Sequence, residues 1–214
     1  MKRITFLTGY YGSGKSEIAL NLAISEKVDY LVDLDIINPY FRSREMEKLL
    51  QTFQIQVISS DQEHGMYTDL PYISGRVFMP FHMKDTKAIY DLGGNDLGSK
   101  LLIQFQELSE SIDLFIVINI FRYETSTPEQ IIELISKIED ASGRKVTGLI
   151  NNSNLIHETT FETILEGEKI LKKVVKATGL KIQYTCVHED INIDGHTFEG
   201  KLLPLKIYLR KNWY

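Results

Sequence analysis

Eight consecutive residues, Gly9-Tyr10-Tyr11-Gly12-Ser13-Gly14-Lys15-Ser16, match the phosphate-loop (Walker A) pattern G-x-x-x-x-G-K-[ST] in full. The chemistry follows from the residue types. Gly9, Gly12 and Gly14 let the backbone turn sharply, so that its N–H groups converge on phosphate oxygens. A helix starting at the lysine would aim its positive end at the same anion. Lys15 supplies a full charge for the β- and γ-phosphates, and the Ser16 hydroxyl can ligate Mg²⁺. Ser13 and Glu17, inside and directly after the loop, complete the candidate nucleotide-binding stretch.

Magnesium held on a phosphate also needs a carboxylate at the end of a neighbouring strand. Asp91 follows Ala88-Ile89-Tyr90 and opens Asp91-Leu92-Gly93-Gly94, the D-x-x-G form of a loop that senses a γ-phosphate. Gly94 would offer its N–H to that phosphate. Asp33 and Asp35 follow Tyr30-Leu31-Val32. Ser16, Asp33 and Asp91 are therefore the candidate metal site, and Lys15, Asp33, Asp35 and Asp91 the candidate catalytic groups. The plain alternative is that these aspartates end strands and cap helices.

The elements needed to position these groups are legible as alternating strand and helix. Apolar runs at 4–8, 29–34, 55–58, 87–92, 113–120, 146–150 and 181–187 read as strands, the run at 113–120 as a central one buried on both faces. Residues 15–26, 41–53, 97–109, 128–141 and 160–178 carry helical spacing. Thr127 is an N-cap with Pro128 in the first helical position, and Gly143 and Gly179 are stops. Residues 59–84, with Gly65, Pro71, Gly75 and Pro80, read as a surface excursion, and 203–211 as a short closing helix. Strand alternating with helix implies a three-layer α/β/α domain on a mostly parallel sheet, with right-handed crossovers. No linker divides the 214 residues, so one domain over residues 1–214 is expected.

Bulk properties narrow the classes. The net charge of −5 argues against a general nucleic-acid binder. Cys186 is the one cysteine, so no internal disulfide can form, and its place in Tyr184-Thr185-Cys186-Val187 reads as a buried strand thiol. The apolar run after Met1-Lys2-Arg3 is too short for a leader or a membrane span, so a soluble cytoplasmic protein is expected. No histidine pair has metal-ligand spacing. His188-Glu189-Asp190, with Asp194 and His196, forms a polar cluster after the last strand.

The loop, then Val32-Asp33-Leu34-Asp35, then Asp91-Leu92-Gly93-Gly94, then Ile150-Asn151-Asn152 resembles the MinD/ParA/CobQ-type P-loop ATPases of the SIMIBI class, a group that includes the nitrogenase iron protein and dethiobiotin synthetase. The resemblance covers most of the chain. It implies ATP and Mg²⁺ as cofactors, a switch over residues 33–44, a second over 91–95, and a homodimer. It also implies that Asn151 or Asn152 hydrogen-bonds the base, and an amide can meet adenine with donor and acceptor together. A guanine-reading Asn-Lys-x-Asp is absent, because the residues are Asn151-Asn152-Ser153-Asn154. Tyr10 stands where many members carry a second loop lysine that reaches across a dimer. Arg42 and Arg44 are candidate substitutes, and Arg122 and Tyr123 lie where a substrate would bind.

Three functions remain open at this level. A nucleotide switch acting on a protein partner predicts slow hydrolysis of ATP alone. A small-molecule kinase or ligase predicts turnover only with an acceptor. A binding-only protein predicts neither. The switch is the expectation, without membrane or nucleic-acid partners.

Overall fold

A computed structural model describes residues 1–35, 44–59, 74–94, 96–106, 111–193 and 195–209. Arg42, His64, Asn95 and Asp194 lie outside the described residues, as do the side chain of Arg44, most of the first expected switch and the end of the helix expected over 97–109.

Eight strands form one sheet in the order β3-β2-β4-β1-β5-β6-β7-β8, and each neighbouring pair is parallel. They are β1 (Ile4–Thr8), β2 (Tyr30–Leu34), β3 (Gln56–Ser59), β4 (Ala88–Leu92), β5 (Asp113–Ile118), β6 (Gly148–Asn151), β7 (Ile182–His188) and β8 (Lys201–Leu205). The helices are α1 (Lys15–Ser25), α2 (Arg44–Thr52), α3 (Met79–His82), α4 (Asp96–Leu101), α5 (Pro128–Ser142) and α6 (Phe161–Thr178). A 3₁₀ turn at Leu102–Phe105 continues α4, where one unbroken helix was expected.

Period-two alternation sorts the strand residues onto two faces. Leu7, Leu31, Ile89, Phe115 and Val117 pack against Ile18 and Leu22 of α1 and Leu50 of α2. Phe6, Val32, Tyr90, Ile116 and Leu149 pack against Phe105, Ile135 of α5 and Leu171 of α6. Residues of β1, β2, β4 and β5 are buried throughout, as expected for parallel strands covered on both sides. This is the expected three-layer arrangement. The helix ends match their signals: Thr127 and Thr160 each close a capping box, and Gly143 and Gly179 take left-handed conformations at the C-terminal ends. No helix among the described residues is long and apolar enough to cross a membrane.

One element differs in kind. Residues 201–205 form strand β8 along β7, with Tyr184 paired to Lys201 and His188 to Leu205, where a helix was expected to start at 203. Pro204 is tolerated because β8 is an edge strand and needs no ladder donor on its outer side.

The chain leaves β1 toward β2 and β3, returns to β4, and then builds β5 to β8 on the other side. The segment after β1 therefore sits where the strand order reverses, at the edge where ligands of open α/β sheets bind.

Candidate nucleotide site

Residues 9–14 join β1 to α1, and the three loop glycines all have positive φ: Gly9 146°, Gly12 76° and Gly14 87°. Two of them also lack room for a side chain. A Cβ on Gly9 would lie 2.5 Å from Val117 O, and one on Gly14 would lie 2.5 Å from Asn152 Nδ2. The Ser13 amide donates to Tyr10 O at 3.2 Å and closes the turn. The Ser13 hydroxyl is buried with no hydrogen-bond partner among the described residues.

Lys15 is the first residue of α1 and only 6% exposed. Its ammonium curls back over the loop and donates to Tyr10 O at 3.0 Å. Burial pushes it below the ordinary lysine range, while Asp91 and Asp35 act the other way. A Cβ on Gly94 would lie 2.6 Å from Lys15 Nζ and 2.9 Å from the Tyr11 amide nitrogen. The D-x-x-G turn thus meets the loop directly, and only glycine fits at the meeting point.

The carboxylates arrive by register. Leu7 of β1 pairs with Asp91 of β4, and Asp91 pairs with Asp33 of β2, so the two aspartates stand side by side on the α1 face of the sheet. Asp91 is fully buried. Burial pushes its acid up to about 7, helped by the charges of Asp33 and Asp35 and opposed by the Ser16 hydroxyl and Lys15. The hydroxyl is near enough to favour the charged form, yet neither Asp91 oxygen has a well-formed hydrogen bond among the described residues. Asp33 Oδ1 accepts from the Asp35 amide at 3.1 Å, and Asp35 faces the cavity beside the loop.

Mg²⁺ fits this donor set. It prefers oxygen and commonly takes one or two carboxylates, completing its shell with phosphate oxygens and water. Buried Asp91 oxygens lacking donors, next to Asp33 and a serine hydroxyl, suit such a cation. No group of three or more His, Cys, Asp or Glu residues able to hold a metal occurs among the described residues. A cation here would therefore depend on ligands beyond those side chains.

A cavity of about 830 Å³ extends from Gly14, Lys15 and Ser16 past Asn152 to the ends of β7 and β8. The asparagine pair divides in role. Asn152 borders the cavity, and its Nδ2 donates to Ser13 O at 2.8 Å, bracing the loop. Asn151 turns inward instead: it is fully buried, donates to Ile164 O at 3.2 Å and accepts from the Ser153 amide at 3.2 Å. Its amide is engaged inside the protein rather than presented to a base. Glu17, expected at the nucleotide, accepts from the Tyr208 and Leu209 amides at 2.8 and 3.1 Å.

Sequence reasoning missed Asn119 and the segment after β8. Asn119 is buried and donates to Asn154 O at 3.0 Å, while its oxygen accepts from the Phe121 and Asn154 amides at 3.0 and 3.2 Å. It ties the end of β5 to the loop after β6. The one signal was an asparagine directly after an apolar strand. Arg122, noted only for its position, donates from Nε to Gly12 O at 3.1 Å and backs the loop from outside. Tyr10, in place of a second lysine, hydrogen-bonds Glu124, which raises its phenol. His188, Glu189 and Asp190 border the cavity, whereas His196 packs edge-on against Phe161 and Phe198.

No known family profile matches the chain, and no curated protein matches it in sequence. Among solved structures it is similar to the cell division protein FtsY from Thermotoga maritima, with a TM-score of 0.56 and 14% identity over 87% of this chain and 62% of that one. It is also similar to FlhF complexed with GMPPNP and Mg²⁺ (TM-score 0.46, 16% identity, 73% of this chain and 57% of that one). FlhF complexed with GTP and Mg²⁺ compares alike (TM-score 0.45, 14% identity, 75% and 58%). The chain thus spans less than two thirds of the length of each. The likeness to FtsY carries the fold: this chain has the three-layer, parallel-sheet architecture of the P-loop NTPases.

Proposed function

We propose that this chain is a Mg²⁺-dependent ATPase that acts as a nucleotide switch on a partner protein. The observation that carries the reading is the meeting of three parts at one point. The loop lysine lies against Gly94 of the D-x-x-G turn, and that turn begins at a buried aspartate paired with Asp33 on the next strand. Residues at the start of both expected switches therefore adjoin the phosphate-binding loop, so that a γ-phosphate would bias both. Lys15 would hold the β- and γ-phosphates, and Ser16, Asp33 and Asp91 would hold Mg²⁺, which supplies charge neutralisation when bound. Asp35 would orient water. ATP rather than GTP is favoured because Asn154 occupies the place of a guanine-reading carboxylate, and its Nδ2 donates to Asn152 O at 2.7 Å.

Without a second loop lysine, unaided turnover should be slow, since a missing cation on the transferring phosphoryl costs on the order of 10³-fold or more. A homodimer in the nucleotide-bound state and cytoplasmic residence belong to the same proposal. A second reading, a small-molecule kinase, is favoured by a cavity of about 630 Å³ on the Gly9, Gly94 and Tyr123 side of the loop, where an acceptor would fit. Steady-state phosphate release from Mg-ATP without any acceptor separates the two. A slow release abolished in Gly94→Ala supports the switch. No release until a hydroxyl or amine acceptor is added would replace it with the kinase.

A further inference from the structure

After β8 the chain runs as a strap over α1, held by two side chains one helical turn apart. Asn21 Nδ2 donates to Lys206 O at 2.9 Å, and Asn21 Oδ1 accepts from the Lys206 amide at 2.9 Å. Glu17 takes the next two contacts, with Oε1 accepting from the Tyr208 amide at 2.8 Å and Oε2 from the Leu209 amide at 3.1 Å. A carboxylate accepting two backbone amides is a strong, directional clasp. Tyr208 and Leu209 also pack, half-buried, against the core on the α1 side. Glu17 and Asn21 belong to the helix whose first residue is Lys15. The strap is therefore built onto the phosphate-binding helix itself.

Residues 206–209 of the strap also border the 830 Å³ cavity that begins at Gly14 and Lys15. Lys206, Tyr208 and Leu209 turn their amides to α1, whereas Ile207 makes no backbone hydrogen bond among the described residues. Ile207 thus keeps a backbone donor and a backbone acceptor that no described residue takes. Adenine presents the complement, an amino donor beside a ring acceptor. Guanine, anchored by its phosphates in the same orientation, presents these in reverse order. Of the two side chains expected at the base, Asn151 is engaged elsewhere, and Asn152 donates to Ser13 O.

We propose that the strap 206–209 is the adenine-reading wall of the site, and that Glu17 and Asn21 are positioning residues that hold it there rather than ligands of the nucleotide. The proposal rests on the nucleotide-binding reading above, and the phosphate and base parts of the ligand separate the two. Calorimetric titration of the full chain with Mg-ATP, Mg-GTP and Mg-tripolyphosphate would compare wild type, Glu17→Ala, Asn21→Ala and Ile207→Pro, with Lys15→Ala as control. Glu17→Gln, which keeps the shape and one acceptor oxygen, covers the case in which Glu17→Ala fails to fold. In the strap variants ATP affinity should fall tenfold or more and the preference for ATP over GTP should collapse, with tripolyphosphate affinity within twofold of wild type. Equal weakening of all three ligands would place Glu17 at the phosphates and overturn the proposal, as would unchanged selectivity. Wild type that binds neither tripolyphosphate nor nucleotide overturns the underlying reading and the proposal with it.

Discussion

Asp91 is the residue whose environment is least compatible with being a bystander. A carboxyl group with no exposure, flanked by two further aspartates, holds its proton up to about pH 7 in the metal-free protein. In the unfolded chain it loses that proton near the ordinary value of about 3.9. Between those values the native state binds more protons than the unfolded state, so stability falls as pH rises through the window. Asp91→Asn removes the effect. In chelator, denaturant titrations from pH 5 to 8 should show a falling stability for wild type and a flatter profile for the variant. Above pH 7 the variant should be the more stable by up to ~4 kcal/mol. A variant less stable than wild type at pH 8 would mean that the carboxylate has a structural partner. The chemical residues were legible because their motifs are local: glycine spacing, Lys15-Ser16 and Asp91-x-x-Gly94 depend on neighbours in sequence. The partners of Asn151 and Glu17, Ile164 O and the amides of 208 and 209, were not legible because they are distant in sequence and carry no sequence signal.

Each element brings its functional group to the same sheet edge, and the connections fix it there. Asn119 shows how much rests on one connection. It makes two hydrogen bonds to Asn154 in the loop after β6, the same loop whose Asn152 braces Ser13, and a third to the Phe121 amide beside it. Asn119→Ala would leave the part-buried amides of Phe121 and Asn154 without their acceptor. A loss of about 2–3 kcal/mol in denaturant unfolding is expected, together with weaker nucleotide binding as Asn152 loses its support. A loss within 0.5 kcal/mol would show that the two loops hold their shape independently. Helix boundaries were readable here because Thr127, Thr160, Gly143 and Gly179 are strong local signals. β8 was not, since Leu202-Leu203-Pro204-Leu205 is a short apolar run whose periodicity suits neither helix nor strand, and its pairing with β7 decides the matter.

Across the whole molecule, the two faces of the sheet differ in what they carry. On one face Phe6 stacks on Tyr90 with ring centroids 4.4 Å apart and meets Phe105 edge-on, an aromatic core on the side of the sheet away from α1. The other face carries α1, and with it the loop, the paired aspartates and the strap. Nucleotide binding would act on this second half while the first stays fixed, as a switch requires. Composition and strand alternation foretold the layers, but not which face would carry the candidate site. That depends on the parity of Asp33 and Asp91 relative to Leu7, settled only by the pairing of β4 between β1 and β2.

The most direct test of this account is thermal unfolding of the wild type and of Lys15→Ala with Mg-ATP, with Mg-GTP and without ligand. A ligand at 100 times its dissociation constant adds ~2.7 kcal/mol to stability. For a chain of this size that raises the midpoint by roughly 5–11 °C. The account predicts such a rise with Mg-ATP, a smaller one with Mg-GTP, and neither in Lys15→Ala. An unchanged wild-type midpoint with both nucleotides would contradict it, as would a rise that survives the loss of Lys15.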